Sequence, residues 1–234
     1  METNQAEENL RVIRTLMERA ALYRRRLGPI MLVPGVVGKS LGVGGFLAGM
    51  DLPFTFVCSW LGAAVVTIVA CLLVSRFQAK ESGEPLFSPS ARRVLSAMTP
   101  GLSAGLLLTL PWLGMLRGMP AMGGFGNGTF ILSVLILIWM AFYGTALHGA
   151  GLFATRGVRM LGLCFILAAA ITLFYLLHLS FNGAPPFSLG PVHPGSQLRS
   201  GTVDLNLIMA GIFGGFHLIS AAYLFATEKR GSTT

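Results

Sequence analysis

Charge is the scarcest feature of this 234-residue sequence, because only 11% of its residues are Asp, Glu, Lys or Arg. A soluble domain carries about 25% charged residues, so this chain has too few to cover a surface that faces water. Hydrophobic residues make up 53% of it, and they form recurring runs of about 20 residues, the length that crosses a bilayer. This composition excludes a soluble enzyme, a disordered tail, a fibre and a disulfide scaffold. It indicates a polytopic membrane protein.

Cysteine and catalytic motifs are scarce as well. Three cysteines, Cys58, Cys71 and Cys164, all fall inside apolar runs and form no CxxC motif, which is typical of small apolar packing residues. The sequence contains no Walker loop, HExxH, GxSxG or pair of intramembrane carboxylates. No catalytic residue and no particular cofactor is therefore predicted.

Acidic residues are outnumbered, nine against 17 Lys and Arg, which gives a net charge of +8. In a membrane chain such an excess records topology and contact with anionic lipid headgroups. No zinc-finger spacing or surface motif of basic and aromatic residues points to nucleic acid. The expected partners are the lipid bilayer and either a membrane protein or further copies of the chain.

The apolar runs predict an all-α bundle of six transmembrane helices. The predicted spans lie at about 27–50, 53–75, 94–116, 130–153, 158–181 and 205–227, preceded by residues 1–26 and followed by a tail at 228–234. The first span is the least regular, because Pro29, Pro34 and several glycines weaken its helix. A broken or re-entrant first span is the alternative, provided that other helices cover its backbone.

The basic residues between the spans predict the orientation. With the N-terminus in the cytoplasm, 14 Lys and Arg residues fall in cytoplasmic segments, whereas the other side holds only Arg117 and Arg199. This asymmetry follows the positive-inside rule for six spans with both termini in the cytoplasm.

Residues 1–26 predict a basic amphipathic helix. Asn4 followed by Glu7 resembles a capping box, and an apolar stripe recurs at helical spacing. The stripe consists of Leu10, Ile13, Leu16, Met17 and Ala20. Arg24, Arg25 and Arg26 stand directly before the first span, so we expect this helix to lie along the cytoplasmic headgroups with the three arginines at the membrane surface. Docking of the stripe on a partner protein is the alternative.

Lys39 lies about halfway along the first span. Placing an ionisable side chain in the hydrocarbon costs a few kcal/mol of insertion free energy, so a partner, a ligand or a wet cavity is expected there. Lys39 is a candidate substrate-binding residue for an anionic solute. Pairing with a carboxylate, snorkelling toward the headgroups and solvation in a broken helix are the alternatives. No carboxylate lies in the middle of any predicted span, the nearest being Asp51 and Asp204 at the outer boundary.

Three of the four histidines fall inside predicted spans. His148 and His217 are expected at similar depths, so together they are a candidate haem-binding pair with an iron between two imidazoles. His178 lies further toward the outside, so its depth does not allow it to pair with either His148 or His217. Interhelical hydrogen bonds and proton handling are the alternatives.

Glycines and two outer connections complete the pattern. Four GxxxG motifs, which let helix backbones approach closely, begin at Gly38, Gly45, Gly101 and Gly211. The connections at 117–129 and 182–204 are rich in Gly or Pro and are expected to be irregular, the second being a surface loop or a lid over a cavity. Asn127 begins an N-glycosylation triplet, which matters only in a eukaryotic cell.

The segments NLRVIRTLMERAALYRR, TRGVRMLG and FHLI resemble stretches of uncharacterised bacterial multi-pass inner-membrane proteins. The resemblance implies a bacterial inner membrane and no activity. Three functional hypotheses follow from the residues: a non-enzymatic accessory or regulatory membrane component, a small-solute transporter or channel that uses Lys39, and a haem-binding redox subunit that uses His148 and His217.

Overall fold

The computed structural model describes residues 2–50, 52–81, 83, 88–117, 127–181, 187–188 and 203–231, and these residues are almost entirely helical. Five long helices come first: α1 (Glu2–Leu47), α2 (Pro53–Glu81), α3 (Pro89–Leu116), α4 (Asn127–Ala150) and α5 (Arg156–Phe181). Two-residue strands, β1 (Phe187–Ser188) and β2 (Val203–Asp204), then pair in parallel. Finally, α6 (Leu205–Met209), a π-helical segment (Ala210–Gly215) and α7 (Phe216–Gly231) follow one another directly.

Among the described residues, six helical stretches are long and apolar enough to cross a membrane, which confirms the predicted all-α bundle. They are Leu27–Leu47, Pro53–Glu81, Ala91–Leu116, Phe130–Ala150, Arg156–His178 and Leu205–Thr227. The sixth, called the last span below, comprises α6, the π-helical segment and most of α7. The chain is therefore a multi-pass membrane protein.

Helix ends follow local sequence signals. No Gly or Pro occurs at 76–81, so α2 runs past its predicted end at 75 and stops before Gly83, whose φ is 64°. The hydroxyl of Ser88 caps α3 by accepting a hydrogen bond from the Ala91 amide at 3.3 Å, and Pro89 occupies the first turn.

The first span is continuous with the N-terminal segment. One helix, α1, runs from Glu2 to Leu47 and contains both Pro29 and Pro34, so the break considered for the first span is absent from this helix. The 25 residues before Leu27 add about 37 Å of helix. A separate helix lying along the headgroups is thus not confirmed, and the side chains of Arg24, Arg25 and Arg26 lie outside the described part of the chain.

Two buried clusters show that the spans run alternately up and down. One cluster joins the beginnings of the spans at Leu27 and Val158 to the ends of the spans at Ala150 and Leu224. Val94 and Met98 near the beginning of α3 pack against this cluster, and Cys71 in the second half of α2 donates to the Ile30 carbonyl. We call this the basic end, since Lys80 at the end of α2 and Arg92 at the beginning of α3 lie on the same side. The second cluster, at the opposite end, has these members among others: Phe56, Leu116, Leu132, Leu176 and Leu205.

The outside of the bundle is apolar along the spans. Val65 is 60% exposed, Leu107 64%, Ile171 68% and Phe174 73%. Large exposed apolar side chains on several helices are what a bilayer requires, because lipid replaces water as their solvent.

Most of the two predicted outer connections lies outside the described residues, including 118–126, 182–186 and 189–202. Within the second connection, the described Phe187–Ser188 pairs with Val203–Asp204. Asp204 then caps the last span, its carboxylate oxygen accepting a hydrogen bond from the Asn206 amide at 2.7 Å. The irregular conformation and the lid predicted for these connections stay predictions.

Candidate functional site at the first and last spans

The last span contains a π-helical segment, Ala210–Gly215, with the sequence AGIFGG. A π-helical turn takes up one extra residue, so it rotates the side chains that follow it relative to those before it. Such segments are rare and often stand at functional positions. Here the segment presents Phe213 to the bundle interior, where its ring lies near those of Trp60 and Tyr143, and it ends two residues before His217.

His217 is buried, with 1% of its surface exposed, and both of its ring nitrogens are hydrogen bonded. Nδ1 lies 2.7 Å from the carbonyl oxygen of Phe213. A carbonyl oxygen only accepts, so Nδ1 carries the proton and donates it to this bond. In the neutral ring Nε2 is then the acceptor for the hydroxyl of Tyr143, 2.8 Å away. The Tyr143–His217 pair is therefore a hydrogen bond between the fourth and last spans in which both ring nitrogens of His217 have a partner.

Aromatic rings surround the Tyr143–His217 pair. Phe165 of α5 lies with its centroid 5.1 Å from that of Tyr143 and 5.0 Å from that of Phe213. The ring centroid of Trp60 of α2 lies 6.3 Å from that of Phe213. Four spans thus meet around the pair, and the low-dielectric surroundings strengthen its hydrogen bonds.

The histidines of the predicted haem pair have different surroundings. His217 is engaged at both nitrogens, so iron coordination requires one of those hydrogen bonds to break. His148 is half-buried near the basic end, and its buried Nδ1 has no hydrogen-bond partner among the described residues. His178 is exposed near the end of α5 and stacks on Phe174. Over the described chain no three His, Cys, Asp or Glu residues are grouped to hold a metal ion. Haem binding stays a prediction.

Lys39 lies where α1 crosses the π-helical segment. Its backbone packs against Gly214, because a Cβ built on Gly214 would lie 2.6 Å from the Lys39 amide nitrogen and 2.9 Å from its Cα. The Lys39 side chain itself is exposed. It shares the outer face of α1 with Val36, which is 50% exposed. The structure therefore places this charge on the outside of the bundle, and the unbroken α1 lacks the interrupted helix that motivated a transporter site at Lys39.

A seam of glycines holds the first and last spans together. Besides Gly28, which meets the Phe225 ring, built Cβ atoms on four α1 glycines would lie 2.5–3.1 Å from atoms of the last span. These glycines are Gly35, Gly38, Gly42 and Gly45. Their spacing of three and four residues is that of two helices packed along a shared seam. The contacts proceed from Leu218 opposite Gly35 back to Asn206 opposite Gly45, so the two helices are antiparallel and their backbones are in contact.

The last span has two further glycines that face away from this seam. Within the described part of the chain, Cβ atoms built on Gly211 and Gly215 would meet nothing within 4 Å. Lys39 follows the seam residue Gly38, and Gly211 and Gly215 follow the last-span residues Ala210 and Gly214 that contact α1. Because the two helices are antiparallel, a residue that follows a seam residue by one position turns to the same side of the seam on both helices. The two open glycines and the exposed Lys39 side chain therefore lie on the same side of the seam. We call the surface formed by Val36, Lys39, Gly211 and Gly215 the open face.

The GxxxG motifs thus differ in use. Gly38 and Gly42 pack on the last span, and Gly101 packs on α4, where a Cβ would lie 2.7 Å from the Phe142 carbonyl oxygen. Gly211 and Gly215 have no such contact within the described chain. Their identical spacing in the sequence gives no sign of this difference, which depends on which face of each helix meets a neighbour.

Tyr143 was not predicted from the sequence as the partner of His217. The two residues are 74 positions apart on different spans, and no motif joins them. The available signal was general: a buried histidine between helices needs a hydrogen-bond partner, and Tyr143 is one of only four tyrosines in the chain.

Comparison of the chain with protein-family models, with curated proteins and with solved structures found no match.

Proposed function

We propose that the chain is a non-enzymatic accessory or regulatory component of a membrane protein complex, and that it binds its complex through the open face. The observation that carries this proposal is the position of Lys39. An intramembrane charge that served chemistry inside this chain would face the bundle interior or a water-filled cavity. Lys39 instead lies on the exposed side of α1, next to two glycines that leave room for another helix.

The closed centre of the bundle also supports an accessory role. His217 and Tyr143 use their polar groups on each other and on the Phe213 carbonyl, and aromatic rings fill the space around them. A satisfied polar network of this kind fixes how helices pack. We assign the centre to holding four spans in register and the open face to contact with other molecules.

The proposed location is a bacterial inner membrane with both termini in the cytoplasm. The support is the charge asymmetry: the basic end carries Lys80, Arg92 and Arg156 among others, and cytoplasmic loops hold an excess of Lys and Arg. In this orientation Arg24, Arg25 and Arg26 meet anionic headgroups where α1 enters the membrane.

The test is photo-crosslinking in the native membrane. A photoreactive amino acid replaces Val36 on the open face, and a matched variant carries it at Ile171, which is exposed on α5. We expect a protein adduct from position 36 at a yield roughly tenfold above that from position 171, because a specific neighbour occupies one face and lipid the other. Deleting the gene of this chain is expected to lower the amount or activity of the captured complex.

Two results contradict the accessory function. One is lipid adducts alone from both positions. The other is a captured protein whose amount and activity are unchanged when this chain is deleted.

A further inference from the structure

We propose that the open face binds a transmembrane helix of a different protein, and that this helix carries an Asp or Glu side chain that pairs with Lys39 inside the membrane. This inference rests on the proposed function and names the chemistry of the partner. It combines the depth of Lys39, its exposure, the distribution of carboxylates in the sequence and the open glycines beside it.

The depth of Lys39 leaves its charge inside the hydrocarbon. Lys39 lies eight residues before Leu47, the end of the span, or about 12 Å along the helix. A lysine stem that extends along the helix covers roughly half of that distance. Because an ammonium in hydrocarbon costs a few kcal/mol without a partner, a pairing group at this depth is strongly favoured.

The chain itself has no carboxylate to offer at this depth. Its nine acidic residues all lie outside the middle of the spans: Glu2, Glu7, Glu8, Glu18, Asp51, Glu81, Glu84, Asp204 and Glu228. A second copy that met the open face with its own open face would bring another Lys39, and two like charges in a medium of low dielectric repel. The other faces of a second copy offer no mid-span carboxylate either. Charge complementarity therefore selects a partner that is not this chain.

The open glycines set the shape of the partner. Gly211 and Gly215 are one helical turn apart on the same side of the last span, and no described residue lies within 4 Å of a Cβ built on either. A helix that crosses there approaches the backbone closely, as in other small-xxx-small contacts. It brings a carboxylate within reach of Lys39, whose own Cβ lies beside the neighbouring Gly214. The acidic residue is expected in the half of the membrane nearer to the opposite end of the bundle.

The test repeats the crosslinking from position 36 in four backgrounds: wild type, Lys39→Met, Lys39→Arg and Lys80→Met. Lys39→Met keeps the length of the side chain and removes its charge. Lys80→Met removes the same charge from the exposed last turn of α2 and is the matched control. We expect Lys39→Met to lower the protein adduct roughly tenfold, whereas Lys39→Arg and Lys80→Met stay within about twofold of wild type.

The captured segment is then sequenced by mass spectrometry, and its acidic residue is changed to the amide. In that background Lys39→Met is expected to have no further effect, and exchange of the two charges, with Lys39→Asp opposite a lysine in the partner, is expected to restore the adduct. Together these results establish the intramembrane pair.

The opposite results separate this inference from the proposed function. An adduct that survives Lys39→Met, a captured segment without Asp or Glu, or a captured second copy overturns the acidic partner. The first two results still leave a different protein on the open face and so leave the accessory function standing, whereas a second copy alone removes the support for both proposals. Adducts to lipid alone overturn both.

Discussion

The two sides of the last span differ in how their polar groups are treated. On the side that faces the bundle, His217 is 1% exposed and hydrogen bonded at both nitrogens. On the side that faces out, the exposed Lys39 lies on the same side of the seam as Gly211 and Gly215, and no described residue lies within 4 Å of a Cβ built on either glycine. On the inner side the polar atoms of His217 are hydrogen bonded within this chain. On the outer side a charge and two glycines have no packing partner among the described residues.

This difference indicates that the π-helical segment does two things at once. With Gly214 it brings the last span into backbone contact with α1, and with Phe213 it supplies the carbonyl that orients His217. The same six residues place Gly211 and Gly215 on the outer surface. Changes on the inner side are therefore expected to alter the stability of the isolated chain, and changes on the outer side to alter association.

The largest effect is expected from adjacent glycines on the two sides. Gly214→Ala is predicted to lower the free energy of unfolding by about 3 kcal/mol, because the new methyl group would collide with the Lys39 backbone. Gly215→Ala is predicted to change it by less than about 1 kcal/mol, since its methyl group meets open space. Thermal or denaturant unfolding of the purified chain in detergent measures both. Equal losses in the two variants would contradict the assignment of the two sides.

His217→Ala is the next largest change. It removes a buried ring and leaves both the Tyr143 hydroxyl and the Phe213 carbonyl without their partner, so a loss of about 2–3 kcal/mol is expected. The exposed His178 is the matched control, and His178→Ala should cost less than about 1 kcal/mol. The same unfolding assay compares them. A loss from His217→Ala no larger than that from His178→Ala would show that the hydrogen-bonded centre does not stabilise the fold.

Tyr143→Phe is a smaller change in the same pair. It removes only the hydroxyl that donates to His217 Nε2, and a loss of about 1 kcal/mol is expected. The double variant with His217→Ala measures the coupling of the two side chains. Because the hydroxyl has no acceptor once His217 is gone, Tyr143→Phe should cost little in that background. Strictly additive losses would mean that the 2.8 Å hydrogen bond contributes no coupling energy.

How far the sequence predicted this molecule depends on the kind of signal. The six spans were predicted because a bilayer imposes a length and a composition on each helix separately, and all six are confirmed. The continuity of α1 could not be predicted from local sequence, because Pro29 and Pro34 weaken a helix by local propensity. In this bundle, packing of the glycine seam on the last span stabilises that helix.

The candidate site depended on pairings that no local pattern encodes. Lys39 and His217 were singled out by their own chemistry, since ionisable groups in spans are costly. Their directions were not predictable, because one faces out and the other in according to how α1 and the last span are rotated against each other. Tyr143 was missed for the same reason. Gly42 and Gly211 belong to two different GxxxG motifs. Gly42 packs against the last span, whereas Gly211 has no such contact within the described chain. The spacing therefore identifies a surface suited to close helix contact but does not tell which helix makes that contact.

The smallest effect is expected from Lys39→Met in the isolated chain. Because the Lys39 side chain is exposed and the close contacts at this position involve backbone and Cβ atoms, the free energy of unfolding in detergent should change by less than about 0.5 kcal/mol. The same substitution should still reduce association in the membrane, which gives the outer side a signature unlike that of any inner-side variant. A loss of stability comparable to that of His217→Ala would instead show that Lys39 stabilises the fold of its own bundle. Lys39 would then belong with the residues that stabilise the bundle itself, and the reason to expect an acidic partner would be gone.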